Sequence, residues 1–509
     1  MRHAILLSGA CLLLVGCLNT IEVDEVRIRA EYAVPLVDSR VNLTELVGEV
    51  DERLRLTVDA DGLLRFNYTD TVPAVTSDEV FDELRALARG LPLPITQRRQ
   101  AYPFPAPEDT RLDSLRAKAG IFSYSLPNPY PRAVRIELTL PGVTRDGVPL
   151  QVRGELPAYG GNGDQPKITN VDAPLDFAGY TFDLSGGALV VEYAINGLDG
   201  EELAPGRGTV AAFSELQFDR IDGYFGRAPY PGVSDRLAID FFENYEGGEI
   251  DFVEPQIRVR IRNGFGVPAR AVVDELYVET LSGDTVRVTG QVVEEGFDFD
   301  YPREPGTVAF TTYIIDETNS NLKELLAARP TALNYRISAL INPEADESIT
   351  GYLLDTSTYA ATITVELPLY GATADFQVRD SFAVNIGTQY REVTAAEFRI
   401  TTDNELPFDL SLTGTFIDSL GNVLGDLTDG ELLVIRASPV DTAGNTAGAV
   451  QSTTDIPVVG ERLVQLREAS TLVLDITFAT TEQGARPVRV TDRQNLRVRI
   501  GARLTVNDQ

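Results

Sequence analysis

Beyond residue 17 this 509-residue chain contains no histidine, cysteine, methionine or tryptophan. The only histidine is His3, and the only cysteines are Cys11 and Cys17. Without an imidazole base the rest of the chain cannot carry out Ser-His-Asp or Cys-His catalysis. Zinc, copper and haem sites built on His or Cys are excluded by the same counts, so we expect no cofactor. No disulfide can form there either, and packed cores must supply the stability.

The charge of the chain is strongly unbalanced. Lys and Arg number 44 against 76 Asp and Glu, which gives a formal net charge of −32. A surface of this sign repels nucleic acid and anionic lipid headgroups, so we expect neither as a partner. The same acidity would also serve solubility in salty surroundings. The hydrophobic share of 43% is ordinary for a globular chain and is enough to build cores.

Residues 1–17 have the pattern of a secretory signal. Arg2 and His3 form a short cationic start, and an apolar run over 4–15 follows. At about 1.5 Å per residue this run is too short to cross roughly 30 Å of bilayer hydrocarbon, so it predicts an exported chain and not a membrane span.

The residues Leu14-Val15-Gly16-Cys17 resemble the lipobox of bacterial lipoproteins, and the chain as a whole resembles the large envelope lipoproteins of the Bacteroidota type. The resemblance implies a signal peptide at 1–16, cleavage before Cys17 and acylation of Cys17, palmitate included. It also implies an outer-membrane location, on the periplasmic or the surface face. Each buried lipid CH₂ contributes about 0.8 kcal/mol, so several acyl chains give lasting attachment. Cys11 is a poorer candidate, and a plain secretory signal with an incidental Cys17 is the alternative.

The remaining chain is dominated by short alternating segments rich in Val, Ile, Thr, Tyr and Phe, separated by Gly, Pro, Asn and Asp turns. This pattern predicts an all-β fold with few short helices, in which tandem antiparallel β-sandwich (Ig-like) domains form an elongated molecule. The clearest helix is predicted at 78–89, with a capping-box pattern at Thr76 and Glu79. A second short helix is predicted at 321–329, ended by Pro330.

A strand, a break with Asn and then Pro, a second strand and a Gly turn recur around Asn128, Asn263 and Asn404. The spacings are 135 and 141 residues, which indicates divergent duplication. The predicted organisation is a signal peptide at 1–16, an N-terminal β domain with helix 78–89 at 17–115, β repeat 1 at 116–250, β repeat 2 with helix 321–329 at 251–391, and β repeat 3 at 392–509.

Carboxylate clusters are the main candidates for chemistry. Asp298, Asp300 and Glu304 form a weak candidate for a Ca²⁺ site, since Ca²⁺ favours hard oxygen ligands. They do not match the EF-hand spacing, and in so acidic a chain neighbouring carboxylates are expected without function, so we favour solvated faces over a metal site. The segment 441–444 only approximates the aspartic protease turn, because Ala443 stands where a glycine is needed. We interpret it as a turn.

The segment 222–230 places Tyr224, Phe225 and Tyr230 between glycines. Exposed aromatic residues in such a loop often mark a binding site. We nevertheless favour the interpretation that they pack over the end of a sandwich, and keep the binding loop as the alternative.

These patterns favour a membrane-anchored cell-envelope lipoprotein that is not an enzyme and has a structural or binding role. Its expected partners are the membrane, through the N-terminal lipid, and other envelope proteins or an apolar ligand. One alternative is an elongated carrier with a continuous groove for a lipid or other apolar ligand. Another is a carboxylate-dependent hydrolase, which would need two convergent buried Asp or Glu residues.

Overall fold

A computed structural model describes residues 30–42, 54–72, 74–384 and 391–506. The predicted signal peptide, the lipobox and Cys17 lie outside the described residues. The described chain consists of antiparallel β-sheets with four short helices, which confirms the prediction of an all-β fold of tandem sandwiches. None of the helices within those ranges has the length and apolarity that crossing a membrane requires.

We divide the described chain into an N-terminal segment (30–94) and three units, unit 1 (99–224), unit 2 (228–372) and unit 3 (376–506), because equivalent strands recur in each unit. The N-terminal segment contains β1 (Ala30–Asn42), β2 (Leu54–Val58), β3 (Leu64–Thr71), β4 (Val75–Thr76), α1 (Asp78–Leu87) and β5 (Gly90–Pro94). Unit 1 contains β6 (Arg99–Pro103), β7 (Arg111–Pro127), β8 (Val134–Arg145), β9 (Val148–Leu156), β10 (Lys167–Thr169), β11 (Leu175–Asp176), β12 (Thr181–Asp183), β13 (Ala188–Gly197), β14 (Glu202–Leu203) and β15 (Val210–Tyr224).

Unit 2 contains β16 (Ala228–Ala238), β17 (Tyr245–Gly247), β18 (Asp251–Phe252), β19 (Gln256–Asn263), β20 (Ala269–Thr280), β21 (Thr285–Arg287), α2 (Gln291–Glu295), β22 (Phe297–Phe299), β23 (Ala309–Ile315), α3 (Leu322–Ala327), β24 (Pro330–Ile341), β25 (Gly351–Leu354), β26 (Thr358–Pro368) and β27 (Tyr370–Ala372). Unit 3 contains β28 (Phe376–Ala383), β29 (Val393–Asn404), β30 (Phe408–Ile417), β31 (Val423–Asp426), β32 (Leu432–Ile435), β33 (Val450–Val459), α4 (Glu461–Glu468), β34 (Thr471–Thr480), β35 (Val488–Arg489) and β36 (Asn495–Val506).

The three units share one order of strand pairing. One layer of each unit is built as β6–β13–β8, β16–β24–β20 or β28–β34–β30. The other layer pairs the strand before the landmark asparagine with the last long strand, as β7–β15, β19–β26 or β29–β36. Inward side chains alternate with outward ones along these strands, so each pair of layers encloses a core.

Strands of the N-terminal segment pair with the last long strand of every unit. β1 pairs with β36 of unit 3, β3 with β26 of unit 2 and β5 with β15 of unit 1. The sequence predicts a separate β domain at 17–115. The structure differs from this prediction, because the described strands of that region pair with strands of three different units. Alternation within a strand does not reveal which distant strand it pairs with.

The pairing also bears on the predicted repeat boundaries at 116, 251 and 392. Each unit has a first strand before that boundary, namely β6, β16 and β28, which pair with the equivalent strands β13, β24 and β34. The sequence landmarks begin only at the long strand before each asparagine, namely β7, β19 and β29, so they do not indicate the first strand of each unit.

The three landmark asparagines occupy the same corner of each unit, where the chain leaves one layer for the other. Asn128, Asn263 and Asn404 are buried, and the amide oxygen of each accepts a 2.9 Å hydrogen bond from the backbone N–H two residues later. Each side-chain NH₂ also donates to a backbone carbonyl far along the chain, at Pro157 (2.7 Å), Asp300 (3.1 Å) or Arg436 (2.8 Å). The repeated asparagine therefore satisfies buried backbone groups at the turn between layers.

The two predicted helices form where the sequence places them, but their first or last residues differ from the prediction. Helix α1 ends at Leu87, and its N-cap is Ser77, whose hydroxyl donates to the Leu354 carbonyl at 2.6 Å. Thr76 instead belongs to β4, which pairs with β26, so the capping box does not form. Helix α3 covers only 322–327, because β24 already begins at Pro330.

Aromatic side chains fill the interior of unit 1. The rings of Phe122, Phe177, Phe182 and Phe213 are fully buried, and the centroids of neighbouring rings lie 4.9–5.9 Å apart. Such offset and edge-to-face packing stabilises a solid core. The centre of this unit is therefore occupied by side chains.

We expect Asn404→Ala to lower the free energy of unfolding by about 3 kcal/mol, because the Leu406 backbone N–H and the Arg436 backbone carbonyl lose their hydrogen bonds to the asparagine side chain. Urea denaturation of the two proteins measures the difference. Asn162→Ala, in an exposed loop, is the matched control and should change stability by less than about 0.5 kcal/mol. Equal effects of the two substitutions would contradict the role given to Asn404.

Candidate binding surface

The aromatic loop predicted at 222–230 is largely packed against the protein. Tyr230 is buried, its hydroxyl donates to the Thr76 carbonyl at 2.6 Å, and its ring lies edge-on to Phe265 at 5.7 Å. Burial raises the pKa of Tyr230 to about 12. Tyr230 thus joins the N-terminal segment to unit 2, and its place fits the interpretation of packing over a sandwich end.

Tyr224 and Phe225 line a small cavity together with Val267, Pro268 and Ile341. Its volume is about 10 Å³, which is room for roughly one water molecule. Pockets that bind small molecules are about 300–1,000 Å³. This cavity is therefore far too small for a ligand of that kind.

The structure does not bring Asp298, Asp300 and Glu304 together as a metal site. The Asp298 carboxylate pairs with Arg270 at 2.6 Å, and the Asp300 backbone N–H donates to the Thr311 hydroxyl. Across residues 30–42, 54–72, 74–384 and 391–506, no group of three or more Asp, Glu, His or Cys side chains is placed to hold a metal ion.

The segment 441–444 forms the predicted turn. The Asp441 carboxylate accepts hydrogen bonds from the backbone N–H groups of Ala443 and Asn445, both at 2.9 Å. The backbone of Asp441 and Asn445 closes the loop at 2.8 Å. The carboxylate is therefore used within its own turn.

Within the described part of the chain, Glu366 is the one Asp or Glu that is buried. Gln256 and Arg258 each donate to it at 2.5 Å, and an Arg65 nitrogen lies 3.9 Å away. Burial alone would raise the pKa of Glu366, but the hydrogen bonds from Arg258 and Gln256 and the nearby cationic charge hold it below its ordinary value. The described residues thus contain no second buried Asp or Glu beside Glu366.

Glu366 belongs to a surface with an unusual charge. The sheet β2–β3–β26–β19–β23 of unit 2 has one face in the core, and the other faces outward. We call that outward face the arginine face. Its arginines come from three strands and are Arg55, Arg65, Arg258, Arg260 and Arg262. Its threonines lie between them and are Thr69, Thr312, Thr362 and Thr364.

Three of these arginines have no carboxylate partner in the part of the chain that the structure describes. Arg65 and Arg258 form ion pairs with Glu366, and Arg65 also forms one with Asp59. In the described ranges no carboxylate oxygen lies within 4.0 Å of the guanidinium nitrogens of Arg55, Arg260 and Arg262. The Arg260 guanidinium lies 4.9 Å from the centre of the exposed Phe310 ring, and Arg262 donates to the Thr358 hydroxyl at 2.8 Å. The face therefore carries an excess of positive charge.

The equivalent strands of unit 3 provide an internal comparison. Every arginine of β29 and β36 there has a carboxylate partner. The pairs are Arg399 with Asp455 (2.7 Å), Arg497 with Asp38 (2.8 Å), Arg499 with Asp403 (3.0 Å) and Arg503 with Glu397 (3.4 Å). Among the described residues, β29 and β36 of unit 3 thus carry no arginine without a carboxylate partner, whereas β19 of unit 2 carries two, Arg260 and Arg262.

Sequence reasoning missed the arginine face. The sequence predicts the strand before Asn263, and arginines occupy every second position around it, at Arg258, Arg260 and Arg262. Their partners, however, lie on strands about a hundred residues away, so the missing carboxylates could be recognised only once the pairing was known.

No protein-family model and no curated protein sequence matches this chain. Similar solved structures include a protein described as secreted from Parabacteroides distasonis, at 13% identity and TM-score 0.28, over 56% of this chain and 88% of that one. A triple jelly roll protein of an archaeal virus matches at 10% and TM-score 0.12, over 85% and 96%. The tandem CBM22 domains of Paenibacillus barcinonensis Xyn10C match at 9% and TM-score 0.14, over 59% and 88%. Likeness at this level identifies neither an activity nor a ligand.

We expect Glu366→Gln to destabilise the protein by about 3 kcal/mol at pH 7, because Arg258 and Arg65 lose their buried countercharge. The pKa of Glu366 lies below its ordinary value of 4.5, so its stabilisation is present above that pH and is lost as the pH falls further. The stability gap between the two proteins should therefore shrink below pH 4.5.

Thermal and urea unfolding from pH 7 to pH 3 measure this gap. Glu155→Gln removes an exposed carboxylate paired with Arg135 and is the matched control, with an expected effect below about 1 kcal/mol. A gap for Glu366→Gln that is unchanged by pH would show that its charge does not stabilise the fold.

Proposed function

We propose that this protein is a cell-envelope lipoprotein, held on the outer membrane by acylated Cys17, that serves as a non-enzymatic structural or binding scaffold. The resemblance of Leu14–Cys17 to a lipobox supports the anchor. The three sandwich units supply the scaffold, and their outward faces and loops are available to other envelope components on the periplasmic or the surface side.

The observation that carries the proposal is the pairing of β1, the first described strand after Cys17, with β36. The ladder runs from Ala30 opposite Val506 to Asn42 opposite Asn495. Asp38 of β1 accepts two 2.8 Å hydrogen bonds from the Arg497 guanidinium, and Leu36 and Val37 pack against the core. An anchor at Cys17 would therefore be connected to unit 3 through the hydrogen bonds between β1 and β36. A force applied to the anchor along β1 would be distributed over these bonds.

The packing of the units supports a scaffold over a carrier. A carrier would need an apolar groove, whereas the aromatic rings of Phe122, Phe177, Phe182 and Phe213 occupy the centre of unit 1. The engagement of Glu366 by Arg258 likewise supports a role without hydrolysis, because that carboxylate already has partners.

Metabolic labelling with palmitate tests the anchor. We expect label in the wild-type protein and in Cys11→Ser, and none in Cys17→Ser. The wild-type protein and Cys11→Ser should also enter the detergent phase on Triton X-114 partition, whereas Cys17→Ser should stay in the aqueous phase.

Label on Cys17→Ser, or an unlabelled wild-type protein, would contradict the proposal. Fractionation of the envelope on a sucrose gradient adds the location, since the wild-type protein should sediment with the outer membrane. Recovery of all of it with the inner membrane would overturn that part.

A further inference from the structure

The arginine face of unit 2 is positive although the chain as a whole carries a net charge of −32. Its five arginines are opposed at short range only by Glu366 and Asp59 among the described residues. Because a protein of this net charge repels anions over most of its surface, an anionic ligand needs a locally positive area. This face supplies one.

We infer that the arginine face binds an anionic polysaccharide whose sugars carry carboxylates. A guanidinium group binds a carboxylate through two parallel N–H···O bonds, and it does so while stacked on an aromatic ring. Arg260 is stacked in this way over Phe310, and neither Arg260 nor Arg262 has a carboxylate partner among the described residues.

The shape of the face suits an extended polymer. On one face of a strand, residues two apart are about 7 Å apart, and neighbouring strands lie about 4.8 Å apart. The arginines of β19 thus form a row, with the hydroxyls of Thr312, Thr362 and Thr364 on the strands beside it. A sugar chain offers carboxylates and hydroxyls at regular intervals to match guanidinium and hydroxyl groups. A small molecule would need a deeper pocket.

An acidic peptide added to the sheet edge fits less well. The edge strand next to the arginines of β19 is β23, and its Ile314 carbonyl already accepts a 2.9 Å hydrogen bond from the Asn319 side chain. That leaves a short stretch of free edge for the main-chain bonds on which strand addition depends.

A membrane or a second copy of this chain fits less well for another reason. Both are broad surfaces, so they would also meet the acidic remainder of the protein, and a second copy carries the same net charge of −32. A thin polysaccharide chain can contact the arginine face alone.

Affinity electrophoresis and biolayer interferometry of the purified full-length protein in neutral detergent test the inference. The probes are polygalacturonate and its fully methyl-esterified form, which keeps the sugar chain and removes the charge. We expect binding to polygalacturonate that weakens with salt, and none to the ester. Arg260→Gln combined with Arg262→Gln should weaken binding at least about tenfold.

The matched control combines Arg399→Gln with Arg503→Gln, which removes the same charge from the equivalent sheet of unit 3. It should bind as the wild-type protein does, and circular dichroism should show both double variants folded. Absence of binding, or equal losses in the two double variants, would overturn the assignment. Equally tight binding of polyglutamate, or of vesicles of phosphatidylglycerol, through Arg260 and Arg262 would also overturn it in favour of another partner.

Discussion

The fold depends on the pairing of the N-terminal segment with the last strand of each unit. β36, β26 and residues 210–214 of β15 would otherwise have unpaired backbone groups along one edge, which invite association with other chains. β1, β3 and β5 cover them in that order. The strands of the N-terminal segment are synthesised first but can pair only with strands that are synthesised later. The pairing of β1 must wait for β36, the final described strand. Contacts of such sequence separation form slowly, because the loop between them must close first.

Buried side chains make the N-terminal segment part of the cores that it covers. The Tyr335 hydroxyl of β24 donates to the Asp70 carboxylate of β3 at 3.0 Å, and Tyr230 donates to the Thr76 carbonyl. Burial, with the negative charge of Asp70 beside it, raises the pKa of Tyr335, so it remains a donor over the physiological range. The segment therefore links the two layers of unit 2 as well as the three units to one another.

What could be predicted from the sequence was local. The alternating strands, the asparagine corners at Asn128, Asn263 and Asn404 and the position of α1 all follow from residues close together in the chain. The strand partners did not, since β3 pairs with a strand nearly three hundred residues away. The candidate surface shows the same limit. Residues 256–263 and 495–502 have almost the same alternation of arginine and apolar residues. Only the three-dimensional pairing distinguishes the arginines that have carboxylate partners from those that do not.

The pairing of β1 with β36 is tested most directly by a disulfide between them, because the chain has no cysteine after Cys17. Ser39 lies opposite Val498, and paired residues on antiparallel strands have Cα atoms about 4.5–5.5 Å apart, within the range of a disulfide. Ser39→Cys with Val498→Cys should therefore cross-link within one molecule on mild oxidation, and peptide mapping should identify the bond. Ser39→Cys with Val506→Cys, which is out of register, should stay reduced. No cross-link in the first pair, equal cross-linking in both, or cross-links only between molecules would contradict the pairing of the N-terminal strand with unit 3.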